Sequence, residues 1–189
     1  MRLQTIIAGV GGQGVLFTTK IFIEMARRKE VPVLGSQTFG MSQRGGSVMT
    51  HLKLGQFSSP MVREGDADLL LGLDCMESHR TLPYLRSRQN GRSAMCVVNA
   101  PDGQAFPDHR VAEMLNEMQV SVHTCDADAV ALQMHSPMMA NLVLLGFASS
   151  QPDFLFTYAE VLQATEALSG AAQRGVNLEA LELGRGLQP

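Results

Sequence analysis

The sequence has no tryptophan, few aromatic residues and little charge. Aromatics make up 5% of the 189 residues, and Asp, Glu, Lys and Arg together 17%. A disordered chain shows the opposite balance, and the 45% of hydrophobic residues here excludes that class. An excess of basic charge is missing too. Fifteen Lys and Arg against eighteen Asp and Glu leave a net charge of −3, without the basic stripe that a nucleic-acid surface needs. Cysteine is scarce: Cys75, Cys96 and Cys125 are far apart and odd in number. That speaks against a disulfide framework and for a reducing, cytoplasmic compartment. It also leaves too few thiolates for an iron–sulfur cluster held by this chain alone, since such clusters usually take four. No apolar run is long enough for a bilayer. The longest, Met138 to Ala148, is interrupted by Asn141 and falls short of the ~20 residues a spanning helix needs. The opening MRLQTIIAGVGG reaches glycine too early for a signal peptide. These exclusions leave one soluble domain over residues 1–189, a length in the ~100–200-residue range of single domains.

What is present alternates between strand and helix. Leu3 to Ala8 reads as a strand. It runs into Gly9-Val10-Gly11-Gly12-Gln13-Gly14, after which Val15, Leu16, Thr19, Ile23 and Ala26 put an apolar stripe on a helix. Arg27-Arg28-Lys29 stand at its end, where cations suit the helix dipole. Val31 to Leu34 predicts a second strand, so the opening reads as a βαβ unit with a right-handed crossover. Gly35 to Gly46 reads as a polar connection, too long to be an ordinary turn and therefore a functional suspect. Ser47–Leu54, Ala67–Leu73, Ala94–Asn99 and Val120–Thr124 predict further strands. Helices are predicted in part of Cys75–Arg86, limited by Pro83, and over Val111–Met118, Ala127–Met134, Met138–Ser149, Tyr158–Ser169 and Leu178–Leu183. The expected class is α/β: a Rossmann-like, mostly parallel sheet covered by helices in three layers.

The glycine loop carries the first functional signal. Gly9, Gly11 and Gly14 fit G-x-G-x-x-G between a strand and a helix. Glycines there allow a tight turn and close approach of an anion to the helix amides; a set of turn glycines without a ligand is the bland alternative. A dinucleotide site wants an acid at the end of the second strand, and Val33-Leu34-Gly35-Ser36 has none. A P-loop wants G-K-[ST], and Val15 follows Gly14. Neither NAD nor a nucleoside triphosphate is therefore well supported, and an NAD-dependent dehydrogenase and a stand-alone nucleotide-binding module remain only as rival readings.

Taken together, GVGGQGVLFTTKIFIEMA, GMSQRGGSVMTHLKLG, EGDADLLLGLD, ANLVLLG and NLEALELG resemble the gamma-type domain of 2-oxoacid:acceptor (ferredoxin) oxidoreductases. The likeness extends to the beta subunit of indolepyruvate oxidoreductase and covers nearly the whole chain. The resemblance implies an enzyme that decarboxylates a 2-oxoacid on thiamine diphosphate. Electrons leave through iron–sulfur clusters and the acyl group passes to coenzyme A. It implies that thiamine diphosphate and the clusters sit on partners: alpha and beta subunits and an iron–sulfur subunit or ferredoxin. This chain would then hold no catalytic residue and no metal, be silent alone, share a coenzyme A pocket, and self-associate as a homodimer in isolation. Residue by residue, the likeness assigns Gly11, Gly12, Gln13 and Gly14 to the first loop, Ser42, Gln43, Arg44, Gly45 and Gly46 to the second, and Asn141 to the start of an N-x-x-x-L-G helix. The two loops are expected at one end of the sheet, facing a common anion pocket.

Each candidate has a plainer reading beside it. Arg44 offers a guanidinium fork suited to phosphate, or meets a partner subunit or solvent. Gln13 touches ligand or ties its loop to Ser42. Asn141, costly in an apolar helix unless bonded, touches ligand or caps a nearby loop. Cys75 and His79 share one helix face at i, i+4, but two ligands make a poor metal site, and a buried thiol beside a surface histidine is the simpler reading. His123-Thr124-Cys125 with Asp126 and Asp128 reads as a strand end and helix cap. Asp66 and Asp68 read as turn formers before a buried strand. The twelve methionines point to adaptable packing, with Met41 a candidate partner contact.

Overall fold

Strand β1, Leu3–Val10, is apolar on both faces and is buried along most of its length. In the computed structural model, which describes residues 1–39 and 45–187, it is a central strand. Helix α1, Val15–Arg28, buries Val15, Thr18, Thr19, Ile21, Phe22, Met25 and Ala26 against the sheet and ends in Arg27 and Arg28. Strands β2 (Val33–Phe39) and β3 (Ser47–Leu54) follow, then β4 (Leu69–Gly72). Helix α2, Cys75–Thr81, is capped by Asp74, whose side chain accepts from the amides of Met76 and Glu77. Pro83 converts its continuation into a 3-10 turn over Leu82–Tyr84. Strand β5 (Met95–Asn99), helix α3 (His109–Glu117), strand β6 (Ser121–Cys125) and helix α4 (Ala127–Gln133) complete the alternation. Three helices close the chain: α5 (Ala140–Ser150), α6 (Tyr158–Leu168) and α7 (Arg174–Arg185). A reciprocal capping box between Thr157 and Glu160 sets the start of α6.

The six strands lie in the order β2-β3-β1-β4-β5-β6. β1, β4, β5 and β6 pair in parallel, and β3 runs antiparallel to both β1 and β2. The sheet is therefore mostly parallel, as expected, with helices on both faces. The opening unit differs from its expected form in two respects. β2 is not the neighbour of β1, because β3 lies between them. The segment from Gly35 is also not a free connection: Gly35 to Phe39 continues β2 and pairs in register with Val48 to Leu52. Ser36, Gln37 and Thr38 look like loop residues because an edge strand leaves such positions open to water while the ladder with β3 satisfies their backbone.

The two faces are covered unequally. One carries Leu3, Ile7, Leu52, Leu54, Leu71 and Val97 against α1 and the α5–α7 helices. The other carries Ile6, Ala8, Leu70, Cys96 and Val98 against Leu82, Leu85 and Leu115 of the chain around α2 and α3. Helix α5 is buried on nearly every side from Asn141 to Ala148, and it crosses α7 at two glycines. A Cβ on Gly146 would lie 2.1 Å from the Leu181 carbonyl oxygen, and one on Gly184 would lie 1.9 Å from that of Val143. Among the described residues no helix is long and apolar enough to cross a membrane.

Candidate functional site

The antiparallel register carries the site. Val10, the last residue of β1, pairs with Ser47, the first of β3. One step further, the Gly11 N–H donates to the Gly46 carbonyl at 2.8 Å. The glycine loop and the end of the second loop thus meet beyond the carboxyl end of β1, where open α/β sheets place their ligands. Gly11 to Gly14 and Gly45 to Gly46 are brought together; Ser42, Gln43, Arg44 and Met41 lie outside the described residues.

The first loop is a closed turn. The Gln13 side-chain oxygen accepts from the Val10 N–H at 2.7 Å, and the Gln13 N–H donates to the Val10 carbonyl at 3.0 Å. Gly12 and Gly14 adopt left-handed φ values of 106° and 84°, which L side chains avoid. Among the described residues, a Cβ on Gly12 would meet nothing within 4 Å. Gly14 supplies no side-chain cap to α1, and the first turn of α1 holds no acidic residue. Among the described residues no side chain caps the amides of that turn.

Asn141 closes the other side. It is 4% exposed, and its Nδ2 donates to Thr18 Oγ1 at 3.3 Å and weakly to the Gly14 carbonyl at 3.5 Å. Asn141 therefore braces the glycine turn from α5. Gly12, Gln13, Leu73, Asp128, Pro137, Met138, Ala140 and Asn141 line a pocket of about 110 Å³. Among its described lining residues the one charged group is Asp128, held at 2.9 Å by Asn99 Nδ2. Asn99 also accepts from the Ala127 N–H at 2.9 Å and donates to the Leu73 carbonyl at 3.3 Å. It ties the ends of β4, β5 and β6 together. Asp126, as expected, caps α4 through the Ala129 N–H at 2.8 Å; Asp128 instead faces the pocket.

Two residues of this end escaped the sequence reading. Asn99 has no motif around it; its one signal is a polar residue closing a buried apolar strand. Glu77 is 7% exposed and accepts from Ser47 Oγ at 2.6 Å and from Arg80 at 3.0 Å. A buried carboxylate thereby anchors the chain just after Gly46. Nothing in CMESHR marks Glu77, since its partner is thirty residues away in sequence.

The remaining candidates take structural places. Asp68 accepts from the Gln4 N–H at 2.8 Å and pairs with Arg86 at 2.6 Å. The Asp66 N–H closes a turn on the Arg63 carbonyl at 3.2 Å. His79 is exposed, its ring edge-on to Phe106. Cys75 is half-buried rather than buried, and its thiol donates to the Asn99 carbonyl at 3.1 Å. Burial, with the charges of Asp74 and Asp128, pushes that thiol up. Burial raises Cys96 and Cys125 to about 12. Among the described residues no three His, Cys, Asp or Glu side chains gather as a metal site. Met138, which lines the pocket, is 65% exposed.

Comparison with known proteins places this architecture. Residues 4–187 match the family described as pyruvate ferredoxin/flavodoxin oxidoreductase. The indolepyruvate oxidoreductase subunit IorB of Methanothermobacter thermautotrophicus is 29% identical over 191 aligned positions, covering 98% of this chain and 97% of that protein. The gamma subunit of a keto/oxoacid ferredoxin oxidoreductase from Geobacter sulfurreducens superposes with a TM-score of 0.68 at 16% identity, over 96% of this chain and 95% of that one. The 2-oxoglutarate:ferredoxin oxidoreductase of Magnetococcus marinus, solved with 2-oxoglutarate, coenzyme A and succinyl-CoA bound, superposes with a TM-score of 0.72 at 19% identity, over 97% of this chain but 30% of that longer one. With its glycine loop joined to Gly46 at the carboxyl end of a mostly parallel sheet and its sequence matched from residue 4 to residue 187, the chain belongs to the pyruvate ferredoxin/flavodoxin oxidoreductase family.

Proposed function

We propose that this chain, as one gamma-type domain over residues 1–189, is a subunit of a cytoplasmic 2-oxoacid:ferredoxin oxidoreductase. Its part is to supply assembly surface and one wall of a coenzyme A site. The observation that carries this reading is the Gly11–Gly46 hydrogen bond at 2.8 Å. It sets the glycine turn, the start of α1 and the Gly45–Gly46 end of the second loop beside one another. Ser42, Gln43 and Arg44 enter the reading through their chemistry and their position just before Gly45.

Size supports a shared site. Pockets that enclose a small ligand commonly hold ~300–1,000 Å³, whereas this one holds about 110 Å³. It can seat one terminal group of coenzyme A, and the remainder of so large a molecule would lie on a partner. The amides of α1 and the glycine turn would take a phosphate oxygen. Asp128 would accept from a hydroxyl or amino group rather than face a phosphate. The exposed apolar side chain of Met138 on the pocket wall is the kind of surface a partner covers.

The chemistry of the reaction lies elsewhere in this reading. Thiamine diphosphate, on a partner, would supply the stabilised carbanion, and partner iron–sulfur clusters or ferredoxin would receive the electrons. Residues of this chain bind, orient and exclude water. The chain expressed alone should show no 2-oxoacid-dependent reduction of a dye acceptor. Co-expressed with its thiamine-binding partner it should co-purify and restore turnover. Turnover by the lone chain, or failure of any thiamine-binding protein to associate, would defeat the reading.

A further inference from the structure

A second cleft opens at the opposite end of the sheet, by the amino ends of β1, β4 and β5, and encloses about 590 Å³. Leu69 and Met95 are buried beneath it, and Phe154 forms part of one wall. Its rim is basic. Arg2, Arg88 and Arg92 all border it, and none of them forms an ion pair with a described residue. A fourth arginine, Arg86, is committed to the fold through Asp68 at 2.6 Å and the Arg92 carbonyl at 2.8 Å. In a chain of net charge −3, three unpaired guanidinium groups around one cavity repel one another, and folding does not account for them.

The backbone that carries two of these arginines is held in place. Gln89 and Arg92 exchange backbone hydrogen bonds at 3.1 and 3.0 Å. Between them Asn90 and Gly91 have φ values of 51° and 77°, the left-handed pair of a tight two-residue hairpin. The Arg88 N–H is fixed to the Met118 carbonyl at 2.9 Å. Arg88 and Arg92 thus flank a braced turn beside the cavity. Arg2 is steadied by the Phe57 ring, 4.5 Å from its guanidinium carbon.

We infer that this cleft binds a small phosphorylated organic anion, and that a nucleotide is the class that fits. The volume lies inside the ~300–1,000 Å³ of small-ligand pockets. Guanidinium forks match phosphate oxygens. The apolar floor accepts a planar body, and Asp153 on the rim accepts from a hydroxyl or amino donor. The inference does not depend on the oxidoreductase reading, since the cleft and the glycine loops lie at opposite ends of β1.

Calorimetric titration of the full chain with ADP, pyrophosphate and adenosine tests it. ADP should bind at one site, pyrophosphate more weakly, and adenosine not measurably. The double variant Arg88→Gln/Arg92→Gln changes only exposed side chains and should keep its melting temperature. It should weaken ADP by at least about tenfold. Met138→Arg, in the glycine-loop pocket, should leave ADP binding unchanged. Absence of ADP and pyrophosphate binding, equal binding by the arginine variant, or loss of ADP binding in Met138→Arg would each overturn the inference. So would an arginine variant that only loses partner chains on purification, which would make the rim a protein contact.

Discussion

Asn141 stands directly behind Gly14: a Cβ built on the glycine would lie 2.5 Å from the Asn141 Nδ2. The same nitrogen bonds Thr18 and reaches the Gly14 carbonyl, so the helix that braces the glycine turn also leaves it no room for a side chain.

This relationship predicts a coupled pair of variants. Gly14→Ala forces an alanine to φ 84°, at ~1–2 kcal/mol, and also displaces the asparagine. Asn141→Ala leaves the buried Thr18 hydroxyl without this partner, at ~1–3 kcal/mol. In the double variant the space vacated by Asn141 accepts the new methyl. Its loss should therefore be smaller than the sum of the two single losses, as measured by urea unfolding. Strict additivity would show that the close approach is relieved some other way.

The α5–α7 crossing predicts a larger effect. A methyl on Gly184 would meet backbone, the Val143 carbonyl at 1.9 Å, and no rotamer change can relieve it. Gly184→Ala should cost ~1–3 kcal/mol or more by forcing two packed helices apart, and Gly146→Ala should behave alike. Gly175→Ala, on the same α7 with nothing within 4 Å, should be neutral or slightly stabilising. Thermal melts of the three variants distinguish a local close approach from a general intolerance of helix substitution.

Histidine burial predicts an acid-sensitive fold. His51 is fully buried on β3; its Nδ1 accepts from the Val62 N–H at 3.3 Å, and its Nε2 has no partner among the described residues. Burial, reinforced by the Lys53 charge, holds its pKa below the ordinary 6.5. Burial shifts His123 the same way against the opposing pull of Asp153. A group whose folded pKa is depressed is neutral in both states at high pH. As pH falls below 6.5, the unfolded chain takes up the proton first. Stability should be flat with respect to these two groups above that value and decline below it. His51→Phe should flatten the decline, as read from unfolding midpoints at about pH 7.5 and about pH 5.5. An unchanged slope in that variant would assign the acid sensitivity to other groups.

Much of the parallel half of the sheet was legible in sequence. Strands buried on both faces, such as Leu69–Gly72 and Met95–Asn99, announce themselves as short continuous apolar runs. The strand Ser47–Leu54 was legible too, but not its antiparallel place between β1 and β2, nor the extension of β2 from Gly35 to Phe39. Ser36, Gln37 and Thr38 carry the composition of a loop, and only their pairing with β3 makes them a strand. At the site, the glycine loop was visible because left-handed turns select glycine locally. Glu77 and Asn99 were not, because a single polar residue declares a role only when its distant partner is known.

The sequence by itself determined the kinds of element, their order, the glycine turn between β1 and α1, and the lack of clustered thiols. These depend on side-chain periodicity and backbone sterics within a few residues of chain. Only the tertiary structure decided that β3 separates β2 from β1, that Gly11 bonds Gly46, that Gly146 and Gly184 are the contact points of two helices, and that arginines from separate segments share one cleft. Those outcomes depend on distances through space between residues far apart in the chain, which local propensity does not encode and which close packing of the whole molecule does.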